Sequence, residues 1–209
     1  MKNILFITAF FLFIGCSTEN SKDGALVSVK KIPEITVNDY IYTLGEVTIK
    51  WTAFKHSAKA QVGGKFKSAE VKGFTESTKL STAISGVRFK IPVASTSTND
   101  EVRDYKIVNS FFNTMVDTDS ISGRILSIDE NGLGKLVINM NGQEVEKQYK
   151  WEMDQTTKEI YLKTSIDVLN WGAQSSLDAL NEVCLEQHTG PDGQNVLWPN
   201  VDITVIVDL

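Results

Sequence analysis

The fold is decided by the stretch Gly86–Met115, which reads GVRFKIPVASTSTNDEVRDYKIVNSFFNTM. Its first part alternates polar residues with an apolar set, which is Val87, Phe89, Ile91 and Val93. This period of two predicts a strand with one buried face. The Ser/Thr-rich loop that follows offers helix N-caps, and Asp100–Val108 is charged and helix-compatible. The stretch therefore predicts a strand, a polar loop and a helical turn that delivers Phe111 and Phe112.

Seven further segments have the composition and alternation of strands: Tyr42–Phe54, Lys65–Glu76, Ser120–Asp129, Leu133–Met140, Val145–Met153, Ile160–Val168 and Val201–Val207. Asn141-Gly142 lies between two of them and suits a type I′ hairpin turn. Phe54 falls on the opposite face from the alternating residues before it, which indicates a bulge or burial on both faces. We therefore predict an all-β fold, an eight-stranded antiparallel barrel of a size that can hold one small ligand.

One short helix is predicted near the C-terminus, where Ser175 and Asp178 resemble an N-terminal capping box. Cys184 and His188 in this helix are four residues apart and therefore share a face. This pair could belong to a metal or thiol site, but no third ligand is evident, and metal sites need three or four. We interpret Cys184 as a small buried hydrophobe and His188 as a cap of the helix end. We therefore predict neither a metal nor another cofactor.

The N-terminus has the layout of a secretory signal, with Lys2 followed by the apolar run Ile4–Ile14 and then Gly15-Cys16. The run is too short to span a membrane as a helix. A small residue directly before a cysteine resembles the bacterial lipoprotein signal, which implies cleavage before Cys16 and acylation of that residue. The alternative is an ordinary cleaved signal. We predict a signal peptide over 1–15, a lipidated N-terminus and tether over 16–39, and one domain over 40–209.

Charge opposes a nucleic-acid role, and cysteine content opposes an internal disulfide. The 209-residue chain has a formal net charge of −5, and loss of Lys2 with the signal makes the remainder −6. An acidic chain opposes a general nucleic-acid role, which needs a basic footprint. With Cys16 acylated, Cys184 is the one remaining thiol, so no internal disulfide is expected.

A local run of positive charge stands out within this acidic chain. Residues 50–72 contain six lysines and one acid, so the local formal charge is +5; the lysines are at 50, 55, 59, 65, 67 and 72. One hypothesis is that this face meets anionic lipid head groups or a ligand phosphate. The interpretation that we favour is a solvated outer face, because lysines often protect exposed strands.

Four pieces of the sequence, in this order and spacing, resemble the YceI-like family of periplasmic and secreted lipid-binding proteins. They are Phe54-Lys55-His56 with Val62, Gly64 and Phe66; Asn99, Arg103-Asp104 and Phe111-Phe112; the Gly134–Gly142 hairpin; and Val201-Asp202-Ile203. The chain departs from the family at polar positions. Gly45-Glu46 replaces a frequent His-Ser, Lys106 replaces a histidine, and Asn113 replaces an aspartate.

The resemblance implies a lipocalin-like barrel with an elongated apolar pocket for polyisoprenoid chains, such as isoprenoid quinones or polyprenyl phosphates. The ligand-binding candidates are Trp51, Phe54, His56, Phe66, Phe89, Ile91, Arg103, Phe111, Phe112, Met115 and Trp171. The alternative for the aromatic residues is a packed core. Arg103-Asp104 is interpreted as a local salt bridge that shapes the turn, although Arg103 could instead donate to a ligand.

The resulting expectation is an exported, membrane-anchored lipoprotein of the bacterial cell envelope, periplasmic or outer-membrane, that binds a long apolar ligand for carriage or sequestration. A homodimer is compatible with the sequence. We predict no enzyme activity, because the chain lacks a Gly-x-Ser-x-Gly nucleophile motif and a phosphate loop. The alternatives are an envelope scaffold with a filled barrel and, less favoured, a hydrolase that uses His56.

Overall fold

Antiparallel pairing of neighbouring strands generates the architecture. In the computed structural model, which describes residues 40–117 and 119–209, ten strands form one sheet in the order β3-β4-β6-β7-β8-β9-β10-β1-β2-β5. The strands are β1 Val47–Lys55, β2 Ala60–Phe66, β3 Glu70–Lys72, β4 Arg88–Pro92, β5 Thr96–Ser97, β6 Ser120–Ile128, β7 Leu133–Met140, β8 Gln143–Met153, β9 Glu159–Asp167 and β10 Leu197–Asp208. The helices are α1 Leu80–Ile84, α2 Glu101–Lys106, α3 Gln174–Val183 and α4 Leu185–His188.

The two ends of the sheet come together because β3 continues the path of β2 and β5 continues the path of β4. Strand β3 follows β2 after three residues and pairs with β4, whereas β5 follows β4 after a 3₁₀ turn and pairs with β2. Between these two ladders, the Lys67 N–H donates to the Ser95 carbonyl at 2.8 Å. The barrel-like all-β class is confirmed. The predicted count of eight strands is wrong, since breaks after β2 and after β4 raise it to ten.

Two local predictions within the sheet are confirmed. Asn141 and Gly142 have φ angles of 51° and 67°, the left-handed values that a type I′ turn needs at both central positions. The Asn141 side chain also accepts from the Val116 N–H and donates to the Trp171 carbonyl. The pairing of β1 with β10 shifts register between Ala53 and Lys55, so a bulge is present opposite Phe54, with its extra residues in β10.

The deciding stretch folds largely as predicted. Ile91 is buried on the inner face of β4, Val87 is buried directly before that strand, and α2 begins after the loop. The N-cap is Asp100 instead of a residue of the Ser/Thr-rich loop, because its carboxylate accepts from the Arg103 N–H at 3.0 Å. A π turn over Ile107–Phe111 and a 3₁₀ turn over Phe112–Thr114 continue the helical path.

The C-terminal helix is present and starts two residues earlier than expected, at Gln174. Ala173 precedes α3, and no side chain caps its N-terminus, so the predicted Ser175 capping box does not form. The backbone leaves helical geometry at Cys184, and α4 ends at His188. Cys184 is buried, as expected, and His188 is buried too, but it does not cap the helix end: Thr189 is the C-cap, and the His188 ring contacts the Asn181 side chain.

Two helical segments cover one end of the curled sheet, and we call residues 101–115 and 168–188 the helical cover. They share one hydrophobic cluster, and two hydrogen bonds also join them. The Thr114 hydroxyl donates to the Ser176 hydroxyl at 2.7 Å, and the Lys106 ammonium donates to the Val183 carbonyl at 2.9 Å. Among the described residues, no helix is long and apolar enough to cross a membrane. The predicted signal peptide, Cys16 and tether lie outside the residues that the structure describes.

Candidate ligand cavity

A cavity of about 270 Å³ runs along the inside of the curled sheet. Every second residue of β1 lines it, from Val47 to Ala53, and so do alternate residues of β10 from Val201 to Leu209. The helical cover contributes Leu177 and further apolar side chains at one end. Of the described residues that line the cavity, none carries a charge. An unfilled apolar space of this size costs on the order of 6 kcal/mol relative to a packed core, which is comparable with the whole stability of many domains.

The hydroxyl groups on the cavity wall are already bonded to the protein. The Thr164 hydroxyl donates to the Gln148 carbonyl at 2.8 Å, and the Tyr149 hydroxyl donates to the Ser127 carbonyl at 2.9 Å. Burial, and secondly the charge of Asp129, raise the pKa of Tyr149 to about 12. The tyrosine is therefore neutral at physiological pH. The wall can bind apolar surface, and it offers no charge to a ligand.

Three aromatic side chains lie flat against the wall because a glycine faces each of them on the neighbouring strand. The pairs are Trp51 with Gly64, Phe89 with Gly123, and Tyr149 with Gly134. A Cβ atom built on any of the three glycines would come within 2.1 to 2.4 Å of the facing aromatic ring. The missing side chains thus give the rings space beside the sheet, and the cavity stays open although large aromatics surround it.

Six of the predicted ligand-binding residues line the cavity: Trp51, Phe66, Phe89, Ile91, Phe111 and Phe112. The two adjacent phenylalanines pack edge to face, with ring centroids 5.1 Å apart. Phe112 is buried and also approaches Phe66, with centroids 6.5 Å apart. Both phenylalanines therefore form the inner surface of the helical cover.

Phe54 and His56 do not line the cavity. Phe54 alternates with the lining residue Ala53, so its side chain points to the outer face. His56 occupies the β1–β2 turn with a φ of 62°, and its Nε2 atom lies 3.0 Å from the Gln187 carbonyl. The Trp198 indole N–H donates to the His56 carbonyl. The surroundings of His56 are those of a residue that ties the hairpin to the helical cover.

Arg103 also lies away from the cavity wall, and it does not pair with Asp104. Its guanidinium contacts the Asp100 carboxylate at 3.4 Å, and both side chains are roughly half exposed. Asp104 instead accepts from the backbone N–H and the hydroxyl of Thr98, at 2.7 and 2.6 Å. The predicted Arg103–Asp104 salt bridge is therefore absent, and Asp104 is the residue that braces the helical turn against the loop.

Met115 and Trp171 belong to the packed core instead of the cavity wall. Trp171 is completely buried, and its indole N–H donates to the Ile138 carbonyl at 3.1 Å. It is presented by a 3₁₀ turn over Val168–Trp171, which follows β9 and packs over the sheet. Because this turn, and not a strand, carries Trp171, its ring packs into the core.

Most of the cavity wall is aliphatic, and the prediction from aromatic residues missed it. Further lining residues include Ile49, Leu136, Ile138, Leu162, Leu177, Leu180, Ile203 and Val205. The signal for them was present as period-two alternation in β7 and β10 and as the apolar face of α3. Alternation identifies an inner face, but it does not say whether that face is packed or open.

The Cys184–His188 pair does not extend to a metal site in the described part of the chain, where no group of three or more candidate ligands occurs. The His188 Nδ1 atom lies 2.8 Å from the Asn181 side-chain oxygen. Burial, with smaller effects from Lys55, His56 and Lys106, lowers the pKa of His188 to about 4. The imidazole is therefore neutral at pH 7 and has a structural role within the helical cover.

Together, the fold and the cavity define a class of proteins in which a curled antiparallel sheet surrounds an apolar interior. Solved structures that share this fold include a polyisoprenoid-binding domain and the protein BcnA. The polyisoprenoid-binding domain comes from Saccharophagus degradans, with 12% identity and a TM-score of 0.55 over 81% of this chain and 96% of that one. BcnA of Burkholderia cenocepacia has 10% identity and a TM-score of 0.53 over 79% of this chain and 98% of BcnA.

A third solved structure, the Campylobacter jejuni YCEI protein, is 14% identical with a TM-score of 0.45, over 75% of this chain and 87% of that one. No protein-family model matches the chain, and no curated protein matches it. At these identities the likeness establishes the fold. The two structures with TM-scores above 0.5 share the fold that the predicted resemblance implies, where comparison of sequences finds no match.

Proposed function

We propose that this protein binds a long apolar ligand, a polyisoprenoid, an isoprenoid quinone or a similar lipid, inside the curled sheet. The observation that supports this most is the cavity of about 270 Å³, which has no charged side chain and whose hydroxyl groups are already bonded to the protein. Burial of a hydrocarbon chain contributes about 0.8 kcal/mol per methylene group. Affinity for such a ligand therefore requires no catalytic group, and carriage or sequestration is the matching role.

The fold comparison supports the same proposal, since one protein with this fold is described as a polyisoprenoid-binding domain. The cavity favours a carrier over the alternative of a scaffold with a filled barrel. The hydrolase alternative gains no support, because His56 lies outside the cavity and its ring nitrogen faces the Gln187 carbonyl. We accordingly propose a binding protein without enzymatic activity.

Native mass spectrometry of the full chain after gentle purification tests the ligand. We expect a co-purified apolar molecule that is lost when Ile203→Trp fills the cavity. Ser165→Trp is the matched control, because Ser165 is exposed and does not line the cavity. If both variants fold and retain the same bound mass, or if the natural chain never carries or accepts an apolar probe, the proposal is wrong.

We also propose that Cys16 carries a lipid anchor and that the domain acts at a membrane of the bacterial envelope. This rests on the Gly15-Cys16 pattern after the apolar run. Labelled palmitate should be incorporated into the natural chain and not into Cys16→Ala. Incorporation that persists in this variant would refute the anchor without bearing on the cavity.

A further inference from the structure

The lysine-rich segment 50–72 does not form one continuous basic face. Lys55 donates to the Gln187 carbonyl at 2.8 Å, and Lys59 lies 4.3 Å from the centre of the Trp198 ring. Lys72 pairs with Glu70 at 3.4 Å. These three lysines therefore already have partners, which leaves Lys50, Lys65 and Lys67 in the segment.

Lys50 and Lys65 face each other directly on β1 and β2, and both side chains are exposed on the outer face. Like charges directly opposite in a sheet are destabilising. Neither lysine has an ion pair among the described residues, so their mutual repulsion is not compensated within this part of the chain. An anion between them would remove it.

A hollow of about 210 Å³ lies beside this pair, lined by Lys50, Gly63, Gly64, Lys65 and residues 97–99. Gly63 shares the outer face with Lys65 and leaves space above the strand. A Cβ atom built on Gly63 would have the Trp51 carbonyl oxygen, at 3.9 Å, as its one neighbour within 4 Å. Gly63 stands opposite Thr52, one outer-face position from the lysine pair, so the hollow is open because a side chain is missing beside that pair.

The opposite wall of the hollow provides hydroxyl and amide groups. Ser97 pairs with Lys65 across the ladder, is 5% exposed and lines the hollow, so its hydroxyl is one of the polar groups on this wall. Asn99 follows with a φ of 60° and an exposed side chain. The neighbouring acids are engaged, since Asp104 accepts from Thr98 and Asp100 pairs with Arg103.

From this geometry we infer a second binding site, for a phosphate-type anion, between Lys50, Lys65 and Ser97 on the outside of the sheet. Two ammonium groups supply charge, the Ser97 hydroxyl is a hydrogen-bond donor, and the hollow above Gly63 admits a group the size of phosphate. The site is separate from the cavity, because Trp51 and Phe66 on the same strands point inward. Its occupant is therefore a free phosphate or a membrane phospholipid head group, and not the end of the ligand in the cavity.

The experiment is an amide NMR titration of the full chain in nanodiscs, following Lys50, Gly63, Lys65 and Ser97. Inorganic phosphate is added to protein in phosphatidylcholine discs, and phosphatidylglycerol discs are compared without added phosphate. Shifts with inorganic phosphate identify a free anion, and shifts in phosphatidylglycerol discs identify a head group. Either result supports the site, whereas no response in both arms overturns it.

Two variants make the result specific. Lys50→Gln/Lys65→Gln should weaken binding about fivefold or more, the effect expected for two partly exposed charge contacts. Lys150→Gln/Lys163→Gln removes the same charge from another directly opposed lysine pair, which lines no such hollow, and should leave binding unchanged. Equal weakening by both double variants would show a general charge effect and refute the site.

Gly63→Val provides a variant that keeps both lysines. It fills the hollow, and the open surroundings of Gly63 make a folded product the expected outcome. Phosphate binding should be lost while the cavity still takes up an apolar probe. Retained phosphate binding in folded Gly63→Val would equally overturn the site, whatever ligand the cavity proves to hold.

Discussion

The cavity wall and the helical cover each contain an inward-facing tryptophan, but the space beside the ring is open in the wall and filled in the cover. Trp51 on the wall lies over Gly64, and the space in front of it is open. Trp171 in the helical cover is fully buried and donates to the Ile138 carbonyl. Both are tryptophans that face the interior of one curled sheet. The difference teaches that two features decide whether the interior of the sheet is hollow or filled. One is the residue opposite an aromatic ring, and the other is whether a strand or a turn carries that ring.

The largest expected effect comes from removing the buried ring of the helical cover. Trp171→Ala should lower the free energy of unfolding by about 3–5 kcal/mol, since it deletes a fully buried indole and leaves a void. Trp51→Ala should cost about 1–2 kcal/mol, because one side of that ring already faces open space. Urea unfolding of both variants measures the difference. Equal costs would mean that the cavity wall is packed like the cover.

Acid should weaken the helical cover before it affects the cavity wall. The pKa of His188 is lowered by burial to about 4, whereas an unfolded histidine titrates near 6.5. Below pH 6.5 the unfolded chain therefore binds a proton that the folded chain rejects. Stability that is fully present above pH 6.5 should fall as the pH drops towards 4, by about 2–3 kcal/mol.

Urea unfolding between pH 7 and pH 4 checks this, with His188→Gln as the control. The variant should lack this part of the acid destabilisation, while the carboxylates contribute equally to both chains. Affinity of the folded protein for an apolar probe should stay constant over the same range, because no described residue of the cavity wall titrates there. A pH profile of His188→Gln that parallels the natural chain would contradict the proposed role of the buried imidazole.

Two adjacent glycines test how the wall keeps the cavity open. A Cβ atom on Gly64 would lie 2.3 Å from the Trp51 ring, so Gly64→Ala should push the indole into the cavity. We expect a loss of about 1–3 kcal/mol in stability and weaker binding of a fluorescent apolar probe. Gly63→Ala is the matched control, since its Cβ meets no atom closer than 3.9 Å. If Gly64→Ala binds the probe as well as the control does, the glycine–aromatic pairs do not maintain the cavity.

The smallest expected change in stability concerns Arg103 and Asp104, which are adjacent on α2. Arg103→Ala should change stability by less than about 0.5 kcal/mol, because its ion pair with Asp100 is half exposed. Asp104→Ala should cost about 1–2 kcal/mol, since it removes two hydrogen bonds from Thr98 to a charged acceptor. Thermal unfolding of both variants ranks them. A larger loss for Arg103→Ala would restore the arginine as the brace of the helical turn.

Much of the fold was predictable because its signals are local. Period-two alternation located β6 to β9 to within about two residues at each end, and Asn141-Gly142 specified its turn through two left-handed φ angles. The helical turn after β4 was also local, although its N-cap proved to be Asp100. The strand count was not predictable, because the breaks after β2 and β4 depend on how the curled sheet closes on itself.

The site was predictable only in part, since a cavity is a property of several strands at once. Aromatic residues at alternating strand positions led correctly to Trp51, Phe66 and Phe89 as lining residues. The same criterion placed Trp171 in the site, although a turn delivers it to the packed core. Arg103 and Asp104 are adjacent in sequence, but α2 directs them to Asp100 and Thr98.

The sequence by itself determined an all-β chain whose strands each have one apolar face, because alternation and turn residues act over a few positions. The tertiary structure decided whether the apolar faces of different strands pack against one another or leave a cavity between them. Glycines 64, 123 and 134 matter only through the rings on neighbouring strands, and Lys50 and Lys65 become one site only when β1 pairs with β2. Such contacts between residues distant in sequence depend on strand register and sheet curvature, which no single segment encodes.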